Sequence, residues 1–125
     1  MIAKSVHHVS FAVAELERAR RFYEGVLGLE QIERPDLGAV RGVWYRAGNT
    51  EVHLIVTPEG ADVGSAPTRI SPVANHVAFR IEDYKRVRDE LVTRGLEPLE
   101  TSPERGQMWI RDPDGNVIEL IATRS

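Results

Sequence analysis

The amino-acid sequence predicts an α+β fold built from two copies of a βαβββ module. Two observations carry this expectation. Short apolar runs of period two alternate with stretches of helical period, in the same order in each half of the chain. Corresponding residues also recur at a nearly constant spacing: His8 and His76 are 68 apart, Gly28 and Gly95 are 67, His53 and Glu119 are 66, and Trp44 and Trp109 are 65. A drift of one residue per element reads as small insertions in loops.

Ser5 to Val13 alternates as a half-buried strand, with Val9, Phe11 and Val13 on one face and His8, Ser10 and Ala12 on the other. His7 falls with the apolar set and is read as structural. From Glu15 to Leu27 the apolar positions Leu16, Ala19, Tyr23, Val26 and Leu27 recur at helical spacing, and Gly28 ends the helix. Strands are expected over Leu29–Arg34 and Val40–Arg46. The turn Ala47-Gly48-Asn49 leads into Thr50–Val56, where Glu51, His53 and Ile55 share a face.

A stretch rich in Gly, Pro and Ser follows, placing module one at residues 1–58, a linker at 59–72 and module two at 73–125. The second module repeats the order. Ala74–Ile81 alternates like the first strand, Asp83–Arg94 is helical, and Gly95 ends it; strands are expected over Leu96–Glu100, Gly106–Arg111 and Asn116–Ile121. Asp112-Pro113-Asp114-Gly115 is a strong turn before the last of these. Neither half is long enough to bury much core alone, so the two are expected to pack together within a chain or to pair across a dimer.

Composition narrows the function classes. A net charge of -3, with 16 basic residues spread among 19 acidic ones, gives no reason to expect nucleic acid. No apolar run reaches the roughly 18 residues that suggest a membrane span, and the opening residues lack a signal-peptide core, so a cytoplasmic protein is expected. The absence of cysteine leaves His and carboxylates as the only strong metal ligands. Four such residues, His8, His53, His76 and Glu119, stand at repeat-related positions on the less apolar faces of their strands. Together they predict one divalent ion. Three imidazoles and one carboxylate suit Zn, Ni, Fe or Co better than Mg or Ca.

The runs Val6-His7-His8-Val9-Ser10-Phe11, Phe22-Tyr23-Glu24-Gly25-Val26-Leu27-Gly28-Leu29, Asn75-His76-Val77-Ala78-Phe79 and Asp112-Pro113-Asp114-Gly115-Asn116-Val117-Ile118-Glu119-Leu120 resemble the vicinal oxygen chelate superfamily. That group includes glyoxalase I, methylmalonyl-CoA epimerase, extradiol dioxygenases, fosfomycin resistance proteins and bleomycin-binding proteins. The resemblance covers essentially the whole chain. It implies paired modules forming a cupped eight-stranded mixed sheet, with helices on the outer face and metal ligands on the first and fourth strands of each module.

His8, His76 and Glu119 match positions that recur in the metal-dependent members. His53 matches one that varies, where bacterial glyoxalase I usually has Glu and the epimerase Gln. The expected function is therefore a glyoxalase-like metalloenzyme, a homodimer acting on a small molecule. It would chelate two adjacent substrate oxygens for lyase or isomerase chemistry through an enolate. Glu119 is the first candidate for the proton-transferring base and Glu51 the second.

Two alternatives accompany this reading. If only His8, His76 and Glu119 bind, they form the two-His-one-carboxylate set of Fe(II) dioxygenases, although many such members of the family carry four modules. A non-catalytic protein that sequesters an antibiotic or similar small molecule is the other. Trp44, Arg46, Trp109 and Arg111 are the candidate substrate-pocket residues in each case.

Overall fold

The computed structural model describes residues 1–122; the last three positions of the expected second module lie outside the described residues. The chain divides into two compact units, Met1–Gly64 and a second beginning at Ser65. Each carries one four-stranded mixed sheet.

The first unit runs β1 (His8–Val13), α1 (Leu16–Arg20), β2 (Glu30–Ile32), β3 (Gly42–Ala47) and β4 (Thr50–Val56). Its strand order is β1-β4-β3-β2. β1 runs parallel to β4, and the remaining neighbours are antiparallel. β1 starts later than the Ser5 expected from alternation because its partner starts at Thr50. The amide of Glu51 bonds the carbonyl of His7 at 3.1 Å, and β4 offers no residue to face those before it.

α1 holds the main departure from expectation. After Arg20 the helix widens into a π-helical segment, Arg21–Val26, in which the Leu27 amide reaches the Phe22 carbonyl at 3.0 Å. Phe22 and Tyr23 both turn into the core. Tyr23 lies 5.5 Å from Phe11 and 6.3 Å from Tyr45, ring centroid to ring centroid. This aromatic group packs the helix against the sheet face formed by Phe11, Val13, Val43, Tyr45, Val52 and Leu54, all buried. Above the core, the buried Tyr45 hydroxyl donates to Glu24 Oε2 at 2.7 Å, and Arg20 Nε donates to the same oxygen at 2.7 Å. Burial first, and then the bond to Glu24, push the Tyr45 phenol well above its ordinary range.

The second unit repeats the plan with β5 (His76–Arg80), α2 (Tyr84–Thr93), β6 (Leu99–Ser102), β7 (Gln107–Arg111) and β8 (Val117–Ile121), in the order β5-β8-β7-β6. Asp83 caps α2 by accepting from the Arg86 amide at 3.1 Å. At the other end Gly95 takes a positive φ of 84°, and the Leu96 amide returns to the Leu91 carbonyl at 2.9 Å. That bond explains why β6 starts at Leu99 and not at Leu96: the first residues after the helix are occupied in closing it. Leu91, Met108, Ile110, Ile118 and Leu120 are buried in this core. Tyr84 donates to Glu100 Oε1 at 2.7 Å, and burial followed by that bond pushes its hydroxyl up to about 12.

In the first unit, the face turned away from the helix carries His8, Ser10, Trp44, Arg46, Glu51 and His53 by strand alternation and register. In the second, Gln107, Trp109, Arg111 and Glu119 share one face of β7 and β8 by the same rule. No helix among the described residues is long and apolar enough to cross a membrane.

Candidate metal half-sites

Among the described residues the buried polar or charged ones are His53, Asp112 and Glu119, at 5%, 4% and 6% exposure. Burying such groups is costly unless they are bonded or used. Asp112 has an evident structural role, since its carboxylate accepts from the amides of Asp114 and Asn116, at 2.9 and 2.8 Å, and from the Asn116 side chain at 2.8 Å. That leaves His53 and Glu119, the two residues that occupy the same place in the two modules.

In the second unit, parallel pairing of β5 with β8 sets Ala78 opposite Glu119 and brings the His76 side chain alongside it. His76 Nε2 and Glu119 Oε1 lie 3.2 Å apart. The other polar atom of each group is tied down. His76 Nδ1 donates to the Ala74 carbonyl at 2.8 Å, and Glu119 Oε2 accepts from Gln107 Nε2 at 2.9 Å. A neutral His76 in this tautomer holds its lone pair on Nε2, facing a carboxylate oxygen. Two electron-rich atoms so placed call for a cation, either a proton or a metal ion. An imidazole whose far N–H is held by a carbonyl is also the arrangement that orients metal-bound histidines. The residues therefore fit a divalent ion. Trp109 meets the His76 ring edge-on at 4.7 Å and donates its own N–H to Thr101 Oγ1 at 2.8 Å.

In the first unit His8, Ser10 and His53 meet where β1 pairs with β4. The His8 and His53 rings stack at 4.1 Å, and Trp44 stacks on His53 at 4.0 Å. His53 Nε2 donates to Glu51 Oε1 at 2.9 Å, which leaves the lone pair of a neutral ring on Nδ1. The bond from His53 is the chief reason that the Glu51 carboxyl lies below its usual range, with the charges of His7, His53 and Arg46 assisting. His7, read as structural from its place in the alternation, is exposed and shares a 3.0 Å hydrogen bond with His8, Nδ1 to Nδ1.

The four expected ligands thus fall into pairs, His8 with His53 and His76 with Glu119, one pair in each unit. Neither unit gathers three or more His, Asp or Glu side chains into a metal-sized group among the described residues. Of the expected pocket residues, Arg46 is 52% exposed and stands 3.9 Å from Glu51. Arg111 instead spends its guanidinium on backbone, donating to the carbonyls of Pro67 at 2.8 Å, Thr68 at 3.0 Å and Gly115 at 3.4 Å. Gln107 is not among the residues singled out by the sequence. Its signal there is its alternation with Trp109 and Arg111, which puts it on the face that carries Glu119.

Paired βαβββ units with His and carboxylate groups on their first and fourth strands define a class, and comparison with known proteins agrees with it. Residues 5–120 match the family model of the Glyoxalase/Bleomycin resistance protein/Dioxygenase superfamily. The chain belongs to this superfamily. It is 31% identical over 121 residues to Glyoxylase I 4 of Arabidopsis thaliana, covering 93% of this chain and 69% of that protein. It is 27% identical over 129 residues to the metallothiol transferase FosB of Lysinibacillus sphaericus, covering 96% and 83%. Among solved structures, a glyoxalase family protein from Bacillus anthracis superimposes with a TM-score of 0.79 at 27% identity, covering 99% of this chain and 98% of that one.

Proposed function

We propose that this protein is a divalent-metal enzyme acting on a small molecule that presents two adjacent oxygens, by lyase or isomerase chemistry. The observation that carries the reading is the His76–Glu119 pair, 3.2 Å apart with both outer atoms anchored. The kinship with Glyoxylase I 4 and with a metallothiol transferase supports it. In this reading His8 and His53 are the remaining ligands, and the metal is Zn, Ni, Fe or Co. When bound, such an ion supplies Lewis-acid polarisation, the chemistry that acidifies a C–H next to a carbonyl.

The protein's own groups supply the rest. Glu119 would take up the proton on Oε1 when that oxygen is not engaged by the ion, since Oε2 is occupied by Gln107. Glu51, the second candidate base, is held in its ionised form by the bond from His53, which suits it better to orienting that imidazole than to taking up a proton. Exposed Arg46 is the cation best placed to meet an anionic substrate group.

Metal analysis of protein purified without an affinity tag, beside its His76→Ala variant, tests the reading. Near-stoichiometric metal in the first and loss in the second are expected; stoichiometric metal in neither sinks it. One observation favours a second reading. The His53 ring is sandwiched between the His8 and Trp44 rings, and if its Nδ1 does not reach the ion the ligands reduce to His8, His76 and Glu119, the set used by Fe(II) dioxygenases. Anaerobic Fe(II) loading followed by O₂-uptake assays with catechols, with uptake abolished by changing Glu119, would establish that reading in place of the first.

A further inference from the structure

We infer that Gln107 is a positioning residue for Glu119: its amide holds one carboxylate oxygen so that the other is presented beside His76 Nε2. The inference rests on the metal-binding reading above and gives a residue outside the ligand set a defined role in it. Register produces the contact. Glu119 on β8 pairs directly with Trp109 on β7, and Gln107 stands two residues before Trp109, which makes it the diagonal neighbour on the same face. From there Nε2 reaches Glu119 Oε2 at 2.9 Å.

The chemistry of the side chain matters as much as its place. A Lys or Arg at this position would pair with the carboxylate and cancel the charge that attracts a cation. A neutral amide donates one hydrogen bond and leaves the negative charge in place. The carboxylate is 6% exposed, so water cannot readily substitute for the missing donor. With His76 Nδ1 fixed by the Ala74 carbonyl, both halves of the pair are then oriented before any ion arrives.

The first unit cannot use the same device. Its counterpart of Gln107 is Gly42, where a Cβ would stand 2.1 Å from the Leu54 carbonyl oxygen. There the buried His53 is oriented by Glu51, two residues away on its own strand. Gln107 is thus a feature of the carboxylate-bearing unit.

The test is a calorimetric titration of Zn²⁺ into the full-length, metal-free protein and into Gln107→Met and Gln107→Asn, with thermal unfolding of each protein measured without metal. Met keeps the volume and removes the donor, whereas Asn keeps the amide and shortens its reach. Both are expected to weaken Zn²⁺ binding by about 10- to 100-fold; because each leaves a buried carboxylate oxygen short of its donor, a modest fall in the metal-free unfolding midpoint is expected as well. Equal affinity in all three proteins overturns the inference and leaves the metal reading standing. So does weakening that disappears when the Zn²⁺ affinities are compared at temperatures equally far below each protein's metal-free midpoint, because the amide is then merely part of the packing. A parent protein that takes up no Zn²⁺ overturns the inference together with the reading it rests on.

Discussion

Trp44 lies flat on His53, with ring centroids 4.0 Å apart and planes 1° from parallel. Cross-strand register produces this, since the two residues face each other directly across β3 and β4. Protons held over an indole face are shielded by its ring current. In Trp44→Leu the His53 ring proton resonances are therefore expected to move downfield, as observed by NMR. Unchanged shifts would contradict the stacked geometry.

The Tyr45 hydroxyl and Arg20 both donate to Glu24 Oε2. The Glu24 carboxyl accordingly sits below its ordinary value, through the bond from Arg20 first and that from Tyr45 next. A lowered folded-state pKa contributes stability above the unfolded value, and that contribution is lost as pH falls through the folded value. Tyr45→Phe is expected to cost about 1–2 kcal/mol near neutral pH. It should also flatten the acid limb of the stability profile in urea unfolding taken from about pH 7 down to about pH 3. A profile parallel to that of the parent would remove Tyr45 from the account.

Gly42 has no room for a side chain. The Cβ of an alanine would meet the backbone oxygen of Leu54 at 2.1 Å, and backbone cannot swing aside as a side-chain tip can. Gly42→Ala should cost at least the roughly 1–3 kcal/mol of an overpacked site. Denaturant unfolding measures this, and a loss below about 0.5 kcal/mol would show that β3 shifts freely against β4.

Arg111 ties the stretch before β5 to the β7–β8 turn through carbonyls of Pro67, Thr68 and Gly115. Removing a charged donor from such bonds costs about 1.5–3 kcal/mol. Arg111→Ala should lower stability by that amount and speed proteolytic cleavage between residues 65 and 72. If cleavage is unchanged and substrate or ligand affinity falls instead, Arg111 belongs to the pocket and not to the scaffold.

The sheets are legible in the sequence because alternation is a strong signal where one face is buried: Thr50–Val56 coincides with β4 throughout. That His8, His53, His76 and Glu119 stand on the first and fourth strands of their modules is legible from repeat position and alternation, whereas their grouping into two pairs is not. Their partners are harder to see. Glu51 bonding His53 and Gln107 bonding Glu119 depend on register and rotamer, which period-two reading does not specify. β6 is displaced because the end of α2 consumes Leu96 in a backbone bond. The widened helix is hidden because Phe22 and Tyr23 are apolar in either helical register.

That widened helix also accounts for a discrepancy between the two halves of the chain. Leu16 follows His8 by eight positions, as Tyr84 follows His76, yet Gly28 comes twelve positions after Leu16 whereas Gly95 comes eleven after Tyr84. The surplus residue lies within the helix itself and not in a loop. A π turn is the form a helix takes when it accommodates one added residue without disturbing its two ends. The first half thus carries a one-residue insertion absorbed where the backbone bulges, and deleting a single residue within 21–26 should return the segment to the α-helical length of its counterpart.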